Sequence, residues 1–296
     1  MSAEILFDRL TIVGLGLMGA SLALALRRRG AVGEIVGVSR TEATAARAVE
    51  LGVVDWCTDT PNAAAEGADA VVIATPVRTV PQMLQEIDAG LPAHAVITDV
   101  GSVKGYIVDQ ARTILGSTSI QRFVPGHPIA GTERSGVDAA FAELYEKHHV
   151  VLTPLKETDP QALNAVRSMW EVAGSDVIEM PVEQHDGILA ATSHLPHVMA
   201  YALVGYLADD PRGQRMFELA AGGFYDFTRI ASSDPTMWRD ICLTNQQCIV
   251  TAIQGFRKRI DSFVAAIEAG DGDQLIRLFE RAKQARDTGL ERKTRR

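Results

Sequence analysis

Cysteine is scarce in this 296-residue chain: Cys57, Cys242 and Cys248 are an odd number, at spacings that fit no metal pattern. A disulfide framework is therefore not expected, and three reduced thiols suit a cytoplasmic protein. Aromatic residues make up only 6%, and no basic block offsets a net charge of -8. Neither nucleic acid nor an anionic membrane is expected as a partner, although a few local arginines can still hold a small anion. A transmembrane or targeting segment is not expected either. The apolar run "TIVGLGLMGASLALAL" (11–26) is shorter than the roughly 20 residues that cross a bilayer. Its positive charges, Arg27, Arg28 and Arg29, follow it instead of preceding it.

What is present is the balance of a globular protein, 47% hydrophobic and 22% charged, long enough for two domains. The first half alternates short β-rich runs with helical patterns. Strands are expected over 10–14, 34–39, 69–76, 95–100, 123–126, 149–154 and 176–180. Alternation at this pitch predicts a doubly wound, mostly parallel sheet with helices on both faces. Beyond Pro181 the pattern is helical only, with apolar segments over 188–209 and 237–270 and a kink expected at Pro196. The expected division is thus an α/β domain, 1–181, and an all-helical domain, 182–296. Helices this apolar need burial on several sides, which predicts a homodimer built through the helical half.

Three glycines explain residues 11–26. Gly14, Gly16 and Gly19 spell G-x-G-x-x-G between a predicted strand and a predicted helix. The first permits a tight turn, the second lets a pyrophosphate approach the backbone, and the third allows close helix–strand packing. With Leu17 and Met18 opening the helix, this is a dinucleotide site of the Rossmann kind. An NAD site places a carboxylate about 20 positions on, for the ribose hydroxyls. Here the second strand ends in Ser39-Arg40-Thr41, with an arginine suited to a 2′-phosphate, so NADP is expected, with NAD as the alternative. Thr75, Pro76 and Gly101 lie at carboxyl ends of later strands, on the ligand-binding side of such a sheet. Ser102 follows Gly101 at a helix start, where it is either the N-cap or a substrate contact.

"GHPIAGTERSG" (126–136) fixes His127 between a glycine and a proline, at that same edge. A dehydrogenase needs a base near neutral pH for the proton that accompanies the hydride, and histidine fits. In the helical half, "SHLPH" sets His194 and His197 three apart, without further ligands for a metal. "GGFYDFTRIASSDPTMWRD" (222–240) sets Asp226 three before Arg229, whose fork suits a carboxylate. Trp238, Arg239 and Asp240 are expected to pack within a helix. The residues together predict an NADP-linked dehydrogenase acting on a small anionic substrate.

The set "GLGLMGASLALAL", "TDVGSVKG", "GHPIAGTERSG", "SHLPH" and "GGFYDFTRIASSDPTMWRD" resembles the prephenate dehydrogenase family of tyrosine biosynthesis, over nearly the whole chain and in the family's order. The resemblance implies oxidative decarboxylation of prephenate to 4-hydroxyphenylpyruvate, or of arogenate to tyrosine, on a Rossmann domain joined to a helical dimerisation domain. It implies that His127 bonds the ring hydroxyl and that Ser102 helps orient it. It makes Arg229 the anchor for a substrate carboxylate, His197 a second pocket histidine, and Thr132 and Glu133 residues that line or gate the pocket. Arogenate-specific members often lack the histidine found at His197, which favours prephenate. Many members carry an acidic residue where this chain has Ser39-Arg40.

Overall fold

The computed structural model describes residues 5–132 and 134–294. Its strands are β1 (Phe7–Val13), β2 (Val32–Val38), β3 (Trp56–Thr58), β4 (Ala70–Ile73), β5 (Val96–Asp99), β6 (Phe123–Val124), β7 (Gly126–Pro128), β8 (His149–Leu152) and β9 (Asp176–Glu179). Among them run α1 (Leu17–Arg28), α2 (Glu42–Glu50), α3 (Pro61–Ala65), α4 (Val80–Asp88), α5 (Lys104–Ile114) and α6 (Pro160–Val172). Helices follow: α7 (Val182–Leu189), α8 (Leu195–Ala208), α9 (Gly213–Glu218), α10 (Gly222–Thr228), α11 (Pro235–Thr244), α12 (Gln246–Glu268) and α13 (Gly272–Thr294).

Six parallel strands form one sheet in the order β3-β2-β1-β4-β5-β6. The order in which strands are added reverses between β1 and β4, so the crevice for a ligand opens beyond their carboxyl ends. The central strands are covered on both faces by helices: β4 is wholly apolar, and β4 and β5 are buried throughout. Trp170, Tyr145, Phe123, Leu10, Ile12, Leu22 and Leu26 are all fully enclosed in this core.

Four sequence expectations need correction. The run 123–126 is not one strand: β6 pairs with β5, whereas β7 pairs antiparallel with β8 in a second, three-stranded sheet. Pro125 removes a backbone donor at the junction, and the chain changes sheets there. A further strand, β3, was not anticipated; its three residues lie at the sheet edge with Trp56 exposed. The segment 188–209 continues from α7, and its irregularity is a π turn at Ala190–His194, just before Pro196. Proline cannot donate to the carbonyl four residues back, and the wider turn absorbs that loss. The long helix over 237–270 is two helices, interrupted at Asn245.

The chain forms two compact units, 1–246 and 247–296. Within the second unit, Phe263 and Phe279 pack at a centroid distance of 5.3 Å. The run Val182–Ala208 is long and apolar enough to cross a membrane by length and composition. Its polar residues His185, Asp186 and His194 are nonetheless buried and hydrogen-bonded to α5, β7 and Asn245, so they point into protein.

Candidate active site

The three glycines of the motif differ in what surrounds them. Gly14 has φ +100, and a Cβ there would come 2.7 Å from the Ala74 carbonyl oxygen. A Cβ on Gly19 would come 2.2 Å from the Gly14 oxygen and 2.8 Å from Ile12 Cγ2, so α1 lies directly on β1. Gly16 has nothing within 4 Å of such an atom. Two glycines are thus required by packing, and the middle one faces open space, which is the cradle a diphosphate needs. It is also the residue before α1, whose first turn has no side-chain cap and no acidic residue. Those amides are left for an anion. Met18 is tied down from its carbonyl, which accepts from Tyr145 Oη at 2.6 Å, while Leu17 is buried.

At the end of β2, Ser39 Oγ donates to the Thr41 carbonyl at 3.1 Å, and Thr41 caps α2. Arg40 is exposed beside them. At the end of β4, Thr75 Oγ1 is buried without a partner among the described residues, next to Pro76. The residues present therefore fit a dinucleotide: an open glycine, free helix amides, and a lone hydroxyl at the switch point. Bound there, its nicotinamide supplies the two-electron acceptor for a hydride.

Beyond β5 and β6 lies a buried polar network. Asp99 ends β5, and its Oδ2 accepts from the Gly101 amide at 2.8 Å and from Lys104 Nζ. Lys104 Nζ also donates to the Gly126 carbonyl at 2.6 Å. The next residue, His127, is 9% exposed on β7. Its Nδ1 lies 2.9 Å from His185 Nε2, and His185 Nδ1 lies 2.7 Å from Asp186 Oδ1. Asp186 in turn accepts from the amides of Lys104 at 2.9 Å and Gly105 at 2.8 Å, the first two residues of α5. His127 Nε2 has no hydrogen-bond partner among the described residues.

The histidines here titrate below their ordinary value. Burial, then the neighbouring His185, Lys104 and His194, hold His127 well below the usual imidazole range. Burial also lowers His185 and brings His194 down to about 4. His197 is lowered by burial and by the charge of Arg229, against a bond from its Nδ1 to the Ser193 carbonyl at 2.9 Å. Its ring stacks on Trp238 at 3.7 Å. His194 Nδ1 meets Asn245 Nδ2 at 3.2 Å, and Asn245 also donates to the Asp186 carbonyl at 3.0 Å.

His127 and His197 therefore lie in one polar region with His185 and His194, and Arg229 is near enough to act on His197. Arg229 opens a 3-10 turn, Arg229–Ser232, and is exposed. Ser102 is half-buried and makes no hydrogen bond among the described residues. It is not the N-cap: Val103 holds that position, and the Asp186 carboxylate, 82 residues away, takes the orphan amides. Thr132 is exposed, its Oγ1 accepting from the Arg134 amide at 3.2 Å. Glu133 lies outside the described residues. Trp238 meets the site histidines instead of serving only as helix packing, and Asp240 pairs with Arg239 at 2.8 Å and Arg78 at 3.6 Å. Sequence reasoning missed His185, Asp186 and Asn245. "QHDG" held an adjacent base and acid, but nothing local shows that they face a histidine 58 residues earlier.

The chain is similar to known proteins over nearly its whole length. The nucleotide-binding domain of prephenate dehydrogenase matches residues 22–179, and the dimerization domain of prephenate dehydrogenase matches 181–281. The prephenate dehydrogenase of Bacillus subtilis is 38% identical over 285 residues, covering 95% of this chain and 76% of that protein. The crystal structure of prephenate dehydrogenase from A. aeolicus, in complex with hydroxyphenyl propionate and NAD+, superposes with a TM-score of 0.87. It is 40% identical, over 96% of this chain and 98% of that one. Synechocystis arogenate dehydrogenase gives a TM-score of 0.80 at 32% identity, over 95% and 99%.

Proposed function

The chain belongs to the prephenate dehydrogenase family, and from that premise we propose that it converts prephenate to 4-hydroxyphenylpyruvate by oxidative decarboxylation, with NADP as the preferred acceptor. The observation that carries the reading is His127: one ring nitrogen is fixed by His185, and the other is left unbonded beyond the carboxyl ends of the sheet. Neutral because of burial, that nitrogen is ready to take the proton of the ring hydroxyl as the carbon beneath loses its hydride. Loss of the ring carboxylate then completes an aromatic ring, which supplies the driving force. The protein mainly has to position reactants and stabilise developing charge.

Arg229 holds the side-chain carboxylate and leaves the departing one unclamped. A strong clamp on the leaving group would stabilise the ground state and slow the step. His197, steadied on Trp238, lines the same region, and Ser102 and Thr132 complete it. Glu133 is assigned to the gate on the family resemblance alone. Gly14, Gly16, Leu17, Met18, Gly19, Thr75, Pro76 and Gly101 hold the nucleotide. NADP is supported by Ser39, Arg40 and Thr41, which put an exposed guanidinium, and no carboxylate, at the end of β2.

The division into a nucleotide-binding domain, 1–181, and a helical substrate and dimerisation domain, 182–296, belongs to the same reading. Exposed apolar side chains support the homodimer: Tyr206, Leu219 and Tyr225, and within the last unit Ile260, Ile267 and Phe279. A cytoplasmic location is supported by three free cysteines.

One assay tests the assignment: absorbance at 340 nm with prephenate or arogenate, each with NAD or NADP. The prephenate–NADP pair is expected to be fastest. Faster turnover of arogenate would replace the substrate, and faster turnover with NAD would replace the acceptor. Absence of turnover in all four would remove the function.

A further inference from the structure

A base at His127 Nε2 does not account for the bond on the other edge of the ring. We propose that His185, anchored by Asp186, keeps the proton of neutral His127 on Nδ1 and takes that proton over when Nε2 receives one from the substrate hydroxyl. His185 and Asp186 are on this account positioning residues, and the proposal rests on the function given above.

The N-terminus of α5 decides where the protons sit. Backbone amides only donate, so the Lys104 and Gly105 amides make both oxygens of Asp186 acceptors. Burial opposes an ionised carboxyl there. The bonds from His185 and from the two amides outweigh it and hold Asp186 below the usual carboxylate range. An ionised carboxylate cannot donate, so His185 Nδ1, 2.7 Å away, must carry a hydrogen. With burial keeping His185 neutral, its Nε2 is a bare lone pair. The 2.9 Å contact to His127 is then a hydrogen bond only if His127 Nδ1 is the donor. One tautomer of His127 remains, with the lone pair on Nε2.

The same geometry provides for the proton once it has been taken. Lys104 from α5, His185 from α7 and His194 from the π turn all face His127 and disfavour a charge on it, while Asp99 and Asp186 are engaged with Lys104, His185 and backbone amides. A ring so disposed is a poor place to leave a proton. Passing the Nδ1 proton on to His185 Nε2 moves the positive charge to a ring bonded to a carboxylate. In that step the substrate O–H bond breaks as His127 Nε2–H forms, and His127 Nδ1–H breaks as His185 Nε2–H forms. No electrons leave the protein, and one positive charge ends on His185 beside Asp186.

The test has two parts. In full-length enzyme labelled with 15N-histidine, His127 at neutral pH is expected to show a protonated Nδ1 and an unprotonated Nε2. A protonated Nε2 overturns the proposal. In Asp186→Asn the amide oxygen takes the Oδ1 place, which accepts from both the Lys104 amide and His185 Nδ1, and the NH2 takes the Oδ2 place opposite the Gly105 amide. The tautomers of both rings are kept, but the neutral side chain no longer stabilises a positive charge on His185. The expected result is a fall in kcat of at least about 10²-fold, with substrate KM and nucleotide affinity little changed and Nδ1 of His127 still protonated. An unchanged kcat overturns the proposal, as does a loss confined to KM. If this variant does not fold, the spectrum of the unaltered enzyme decides alone. Failure to oxidise any of the four substrate pairs would instead strike the function, while the tautomer would still be read.

Discussion

Lys104 and Asp99 form an ion pair in which neither side chain has any exposure to solvent. The pair also grips Gly126 from both sides: Nζ donates to its carbonyl at 2.6 Å, and Asp99 Oδ1 accepts from its amide at 3.3 Å. Gly126 suits that position because a Cβ there would come 3.0 Å from the Asp99 carbonyl oxygen. His127 thus inherits its placement from a buried charge pair at the start of α5.

Removing one member of such a pair strands the other. Burial lowers the pKa of Lys104 while Asp99 supports its charge, so in Lys104→Met the carboxylate is left buried and uncompensated. A loss of about 3–5 kcal/mol is expected, read from the midpoint of urea unfolding. A loss under about 1 kcal/mol would show that the pair contributes little beyond its own desolvation.

The glycine loop separates packing from binding. Gly16→Ala adds a methyl where nothing lies within 4 Å, so the melting temperature should hardly move while nucleotide affinity falls at least about tenfold, the equivalent of 1.4 kcal/mol. Gly19→Ala drives a methyl to 2.2 Å from the Gly14 oxygen, so it should lower the melting temperature as well. Equal effects of the two changes on melting would argue against this division of roles.

Much of this was legible from the chain. The α/β alternation and the glycine spacing report on neighbours within about 30 residues, and local pattern carries that information. β3 was not legible because Trp56-Cys57-Thr58 is too short to show periodicity. The cap of α5 was misread because local spacing offers Ser102, whereas the real acceptor is Asp186. Asn245 was hidden inside an apolar stripe that reads as one helix, yet it breaks that helix and joins the Asp186 carbonyl to His194. The site is therefore written in residues whose partners are 51 to 82 positions away.

Arg229 acts on His197 electrostatically, which gives its removal two signatures. Arg229→Gln should raise the KM for prephenate by roughly 10- to 100-fold, the scale of a lost charge-assisted bond, with a much smaller fall in kcat. The pKa of His197 should rise, since a positive neighbour no longer opposes its protonation. Steady-state kinetics and histidine NMR read the two effects separately. A fall in kcat at unchanged KM would transfer Arg229 to the departing carboxylate.

Acid should unfold this protein through its histidines. His127, His185 and His194 are all buried and lowered mainly by burial, His194 to about 4. In the unfolded chain such rings take up a proton near 6.5. As pH falls below that value the unfolded state gains protons that the folded state refuses. Stability is therefore complete above about 6.5 and drains away down to the folded values, at up to about 1.4 kcal/mol per pH unit for each ring. The melting temperature should be level from about pH 7 to 8 and fall steeply between about 6.5 and 4. In His194→Gln one ring is gone, so the slope of unfolding free energy against pH in that window should lose about one proton's worth. An unchanged slope would mean that His194 is already charged in the folded protein, and the bond it accepts from Asn245 would have to be reassigned.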